Sequence, residues 1–134
     1  MRRLTVLALL CCLSACSTSD DTVEDLADRI TADLEALPGA KAVSVEHSAD
    51  MDHRQRLRVS ATVEDKAKAD EAMEIVKRDY WTGTGRRVEF RVRFTSPAGA
   101  ELVSSDVRFK LGDLVEMERK YGPRSTAGEL DPGR

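Results

Sequence analysis

The chain contains no asparagine, and its three cysteines, Cys11, Cys12 and Cys16, all fall within the first sixteen residues. The remaining 118 residues therefore hold no disulfide, no thiol nucleophile and no cysteine-ligated zinc. Aromatic residues are scarce, with one Trp, two Tyr and three Phe, so aliphatic side chains must build most of the core. Long apolar runs are missing after the first one, Leu4 to Leu13, and a membrane span takes about 20 apolar residues. There is no Gly-x-Ser-x-Gly elbow, and no motif in the sequence assigns a Ser or Thr a partner histidine, so nucleophilic catalysis finds no support. The sequence calls for no cofactor.

Excess positive charge is also lacking. Twenty-one Lys and Arg oppose 24 Asp and Glu, a formal charge of −3, which argues against general nucleic-acid binding. A chain of 134 residues suits one domain, and at that size roughly two-thirds of the unfolded surface can be buried without a metal or disulfide. Arginine outnumbers lysine by 15 to 6.

The N-terminus carries the sharpest signal. Arg2 and Arg3 precede the uncharged run Leu4 to Leu13, and Ser17-Thr18-Ser19 follow shortly after it. A basic start, an apolar stretch of about ten residues and a small-residue exit describe a secretory signal peptide. The run ends in Leu13-Ser14-Ala15-Cys16. This resembles the lipobox of bacterial lipoproteins, in which an aliphatic residue and two small residues precede a cysteine. The resemblance covers the first sixteen residues. It implies that the Cys16 thiol receives a diacylglyceryl group, that a peptidase cuts before Cys16, and that the new N-terminus can be acylated. Leu4-Thr5 after the arginine pair favour general secretion over the twin-arginine route. Two acyl chains give stable attachment, whereas one is marginal. The expected location is therefore the extracytoplasmic side of a cell membrane, held by lipid. The arginine bias also resembles small envelope lipoproteins of high-GC bacteria. Without residues 1–15, 119 residues remain, with 19 Lys and Arg against 24 Asp and Glu, a formal −5.

The rest reads as two helix–strand–strand units and a short helix. Residues 16–21 are expected to be the lipidated cysteine and a tether, 22–121 a single domain, and 122–134 a mobile tail. Thr22, with Asp25 three residues on, reads as the cap of a first helix. Its apolar stripe is Val23, Leu26, Ala27, Ile30, Leu34 and Leu37, and Pro38-Gly39 stops it. Ala42 to Glu46 reads as a short strand. Arg56 to Val63 alternates, with Leu57, Val59, Ala61 and Val63 on one face. A second helix starts near Glu64 or Asp65, carries Ala69, Ala72, Met73, Val76 and Tyr80, and ends at Thr82-Gly83-Thr84-Gly85. Arg87 to Phe94 alternates cleanly, Ser96-Pro97-Ala98-Gly99 turns the chain, and Leu102 to Lys110 returns. Asp113 to Tyr121 reads as a third, short helix.

The predicted class is α+β, in the order α-β-β-α-β-β with a C-terminal helix. One apolar stripe per helix and one apolar face per strand predict a four-stranded, mainly antiparallel sheet with helices on one side. The order fits a circularly permuted ferredoxin-like fold or two α-β-β units side by side.

Three sets of residues are candidates for function. The loop from His47 to His53 holds both histidines with Asp50 and Asp52, a donor set suited to zinc or to a metal-dependent hydrolase, and equally to a polar turn. The outward sheet face is expected to gather Arg56, Arg58, Arg87, Arg91, Arg93 and Arg108. Guanidinium binds carboxylate and phosphate bidentately, so this face suits anionic lipid, an envelope polymer or an acidic protein, or else remains solvated beside Glu46, Glu89 and Asp106. Tyr80-Trp81 with Thr82-Gly83-Thr84-Gly85 places glycines after a helix, whereas phosphate loops place them before one, so a helix stop is expected there. The leading expectation is a lipid-anchored, non-enzymatic binding or assembly module of the cell envelope. The alternatives are a metal-dependent envelope hydrolase and a structural spacer.

Overall fold

A computed structural model describes residues 20–109 and 111–126. Cys16, the expected signal segment and residues 127–134 lie outside these. The order is α1 (Asp21–Glu35), β1 (Lys41–Ala49), β2 (Gln55–Thr62), α2 (Lys66–Gly83), β3 (Val88–Thr95), β4 (Glu101–Ser105) and α3 (Leu111–Tyr121). The class is α+β, as the patterning predicts.

The strands form one sheet in the order β1-β2-β3-β4. Both hairpins, β1–β2 and β3–β4, are antiparallel, and the central β2–β3 pair is parallel, so the sheet is mixed. A ferredoxin-like arrangement splits its β-α-β unit with an intervening strand. Here α2 joins two strands that are direct neighbours, which is the arrangement of two α-β-β units set side by side.

Alternation decides which face each strand buries. Leu57, Val59 and Ala61 of β2 and Val88, Phe90, Val92 and Phe94 of β3 are all buried, and they meet the stripes of α1 (Val23, Leu26, Ile30, Leu34) and α2 (Ala69, Ala72, Val76). Fully burying a side chain of this size contributes about 1.5–3 kcal/mol. Helices α1 and α2 pack against each other, and α3 packs on α2.

The helix ends explain several boundaries. Asp20, not Thr22, caps α1: its carboxylate accepts from the Thr22 and Val23 amides at 2.9 and 3.3 Å. The Thr22 hydroxyl instead donates to Asp20 and meets Thr84 Oγ1 at 3.2 Å. Asp65 caps α2 by accepting from the Lys68 amide at 2.9 Å. Glu74 of α2 accepts from Lys120 Nζ at 2.6 Å and from the Tyr121 hydroxyl at 2.5 Å, which fastens α3.

β4 stops at Ser105, short of the return that the alternation predicts. Segment 106–109 leaves the ladder but keeps Val107 buried. Gly122 to Ser125, expected as the start of a loose tail, lie against α2. Trp81 Nε1 donates to Gly122 O at 2.7 Å, and the Ser125 amide donates to Trp81 O at 3.2 Å.

Candidate functional site

Among the described residues, no helix covers the outward face of the sheet. Parallel register sets Arg56 opposite Glu89, Arg58 opposite Arg91, and Ser60 opposite Arg93 on β2 and β3. Antiparallel pairing adds Glu46 beside Arg58 and Ser104 beside Arg93. Adjacent strands lie about 4.8 Å apart, so Arg58 and Arg91 stand as like-charged neighbours. Arg58, Ser60, Arg91, Arg93, Ser104 and Asp106 line a shallow groove of about 700 Å³ across this face.

The six arginines singled out in the sequence divide into two groups. Arg56 pairs with Glu89 at 3.0 Å and Asp50 at 3.2 Å, Arg58 with Glu46 at 3.2 Å, Arg93 with Glu101 at 3.3 Å, and Arg108 with Asp106 at 3.7 Å. These pairs are solvent-exposed, and such pairs contribute only about 0–1 kcal/mol each. Arg87 and Arg91 have no carboxylate partner among the described residues. Arg56, Arg58, Arg91 and Arg93 sit on β2 and β3. Arg87 precedes β3, and Arg108 lies beyond the end of β4 rather than on a strand.

The hairpin holding both histidines does not bring its candidate ligands together. Asp50 organises the turn, its Oδ1 accepting from the Asp52 and Arg54 amides at 3.1 and 2.9 Å. Asp52 pairs with Arg54 at 3.4 Å, and His53 is exposed with φ of 60°. His47 points to the helix side of β1, where its Nε2 meets Gln55 Oε1 at 2.7 Å and its Nδ1 lies 4.0 Å from Glu24. Among the described residues no group of three His, Cys, Asp or Glu could hold a metal.

Tyr80 and Trp81 build structure. The Tyr80 hydroxyl donates to Arg86 O at 3.2 Å and accepts from the Val88 amide at 3.0 Å, and its ring stacks on Phe109 at 5.0 Å. Gly85 is needed for close approach: a Cβ there would stand 2.6 Å from Ser125 O. Gly85 thus lets the C-terminal strap reach the end of α2, while a Cβ at Gly83 would stand 2.9 Å from Leu26 Cδ1 of α1.

Two further sets of residues matter and were not singled out in the sequence. Arg124 sits over three rings, 5.1 Å from Tyr80, 5.5 Å from Trp81 and 5.3 Å from Phe109. Nothing local marks this arginine, because the nearest of the three rings in sequence, Phe109, is 15 residues away and the other two more than forty. Asp79 of α2 is fully buried between α1 and α2. Its Oδ1 takes Arg78 at 3.0 Å and Arg29 at 3.4 Å, while its Oδ2 has no partner among the described residues. Burial, with Asp33 close by, pushes the Asp79 carboxyl up to about 6, against the pull of Arg78. Its position three residues after Val76, on the edge of the apolar stripe, was the available signal.

Among the described residues, no helix is long and apolar enough to cross a membrane. No protein-family model, curated protein or solved structure matches the chain.

Proposed function

We propose that this protein is a lipid-anchored, extracytoplasmic binding module that holds an anionic polymer of the cell envelope on the open face of its sheet. The observation that carries the reading is the register of β2 and β3, which sets Arg58 beside Arg91 and Arg93 one row further on. Side chains on one face of a strand recur about every 6.6 Å. That spacing suits a chain of repeated phosphates or carboxylates better than an isolated ion. The outward residues of β2 and β3 are Arg, Glu, Ser and Thr, with none of the aromatic or aliphatic anchors on which protein interfaces depend.

The anchor supports the same reading. Asp20 lies four residues after Cys16, a reach of at most about 14 Å. Asp20 is fixed to the domain: its amide donates to Gln55 Oε1 at 3.2 Å, and its carboxylate pairs with Arg86. Lipid on Cys16 would keep that end of the domain, with hairpin 50–54, beside the bilayer. β2 leads away from this end over eight residues, about 26 Å. The arginine rows would then run outward from the membrane. The function so described is binding, without catalysis.

Two measurements test it. Mass spectrometry of the membrane fraction should find Cys16 as the N-terminal residue carrying diacylglyceryl. An unmodified Cys16, or an intact segment 1–15, refutes the anchor. Long-chain polyphosphate should bind the full chain in detergent, and the affinity should fall steeply between about 50 and 200 mM salt. Arg58→Ser with Arg93→Ser should abolish that binding. Wild-type protein that ignores polyphosphate is a spacer or binds something else.

A further inference from the structure

We propose that the notch where β4 stops short of β3 is a second site, a pocket for a phosphate monoester carried on a compact apolar group. The ladder between β3 and β4 ends at Val92 opposite Ser105, so Val88 to Arg91 run on past the end of β4. The chain that follows β4 bows away and leaves a cavity of about 650 Å³ beside this half of β3. That volume fits a small organic ligand.

Arginines from three separate segments line the cavity. Arg87 immediately precedes β3 and Arg91 lies within it, Arg108 belongs to the irregular stretch after β4, and Arg124 to the C-terminal strap. Two carboxylates also line it, and both are engaged: Glu89 pairs with Arg56 at 3.0 Å and Asp106 with Arg108 at 3.7 Å. Arg87, Arg91 and Arg124 are left with no carboxylate among the described residues. Three uncompensated charges favour a dianion over a carboxylate, and a guanidinium meets phosphate oxygens bidentately.

Arg124 is held ready for such a ligand. Its guanidinium rests on Tyr80, Trp81 and Phe109, and one terminal nitrogen donates to Arg86 O at 3.4 Å. Its Nε is buried with no hydrogen-bond partner among the described residues. Phe109 and Leu114, both half-buried, supply the apolar wall. This pocket shares Arg91 and Asp106 with the polymer groove but does not depend on the groove's function.

Trp81, the only tryptophan in the chain, stands under Arg124 and reports on the site. Full-length protein in detergent is titrated with phenyl phosphate, inorganic phosphate and benzoate by calorimetry, with Trp81 fluorescence read in parallel. Phenyl phosphate should bind saturably and at least tenfold more tightly than either of the others. Arg87→Gln with Arg91→Gln should weaken it at least tenfold while the thermal midpoint stays put. Arg58→Ser with Arg93→Ser should leave it unchanged, which separates this site from the polymer groove. No heat of binding, equal affinity for benzoate, or an unaltered titration in the Arg87/Arg91 variant would each overturn the proposal.

Discussion

The two faces of the sheet are built from the same strands, residue by residue in alternation, yet they do different work. On β3, Val88, Phe90, Val92 and Phe94 disappear under α1 and α2, while Glu89, Arg91 and Arg93 stand in solvent. The inner face gathers nearly all the apolar burial of the domain. The outer face gathers charge whose pairing contributes little to stability. A surface that does not hold the fold together is free to be specified by what it meets. Arg58 beside Arg91 is a juxtaposition that stability alone would not favour.

The sharpest way to break this comparison is to cut one side chain from each face of the same strand. Phe94→Ala on the inner face, where Phe94 is fully buried, should cost about 3–5 kcal/mol in urea denaturation. Similar losses from Phe94→Ala and Arg93→Ala would erase the distinction.

An intermediate effect is expected at Asp79, the one buried acidic side chain among the described residues. The unfolded Asp79 carboxyl titrates near 3.9 and the folded one at about 6. Between those values the folded state holds more protons than the unfolded state. Stability should therefore rise as pH falls from 7 toward 4, and flatten below that. Asp79→Asn should remove this rise and raise stability at pH 7 by on the order of 1 kcal/mol, read from denaturation curves across pH. A variant that loses stability at pH 7 would show that the Arg78 and Arg29 contacts outweigh burial.

The smallest effect belongs to the outer face. Arg93→Ala should change stability by no more than about 1 kcal/mol, since its partner Glu101 is equally exposed. The same substitution should still be visible in polyphosphate affinity.

The inner face was legible in the sequence because periodicity reports burial directly. The stripe from Val23 to Leu37 and the alternation around Val59 and Phe94 locate both helices and the central strands. β4 was legible only in part. Val107 and Phe109 keep the alternating pattern after the ladder has ended, because each still packs on the core side, Phe109 against Tyr80 and Trp81. The pattern cannot separate pairing from packing. Strand order was open because alternation says nothing about neighbours. The arginine face followed from the same alternation, which is why Arg56, Arg58, Arg91 and Arg93 fall together. What alternation could not foresee was long-range partnership: which arginines meet a carboxylate, that Arg124 returns over the end of α2, and that Asp20 belongs to the domain.

If the outer face is the binding surface, recognition and stability reside on opposite faces of the sheet. The most direct test reads both quantities in one variant, Arg58→Ser with Arg93→Ser, by urea denaturation and by polyphosphate binding at low salt. The variant should keep a stability within about 1 kcal/mol of wild type and show no measurable binding. A variant that unfolds as readily as Phe94→Ala while still binding polyphosphate as wild type does would contradict this separation of the two faces.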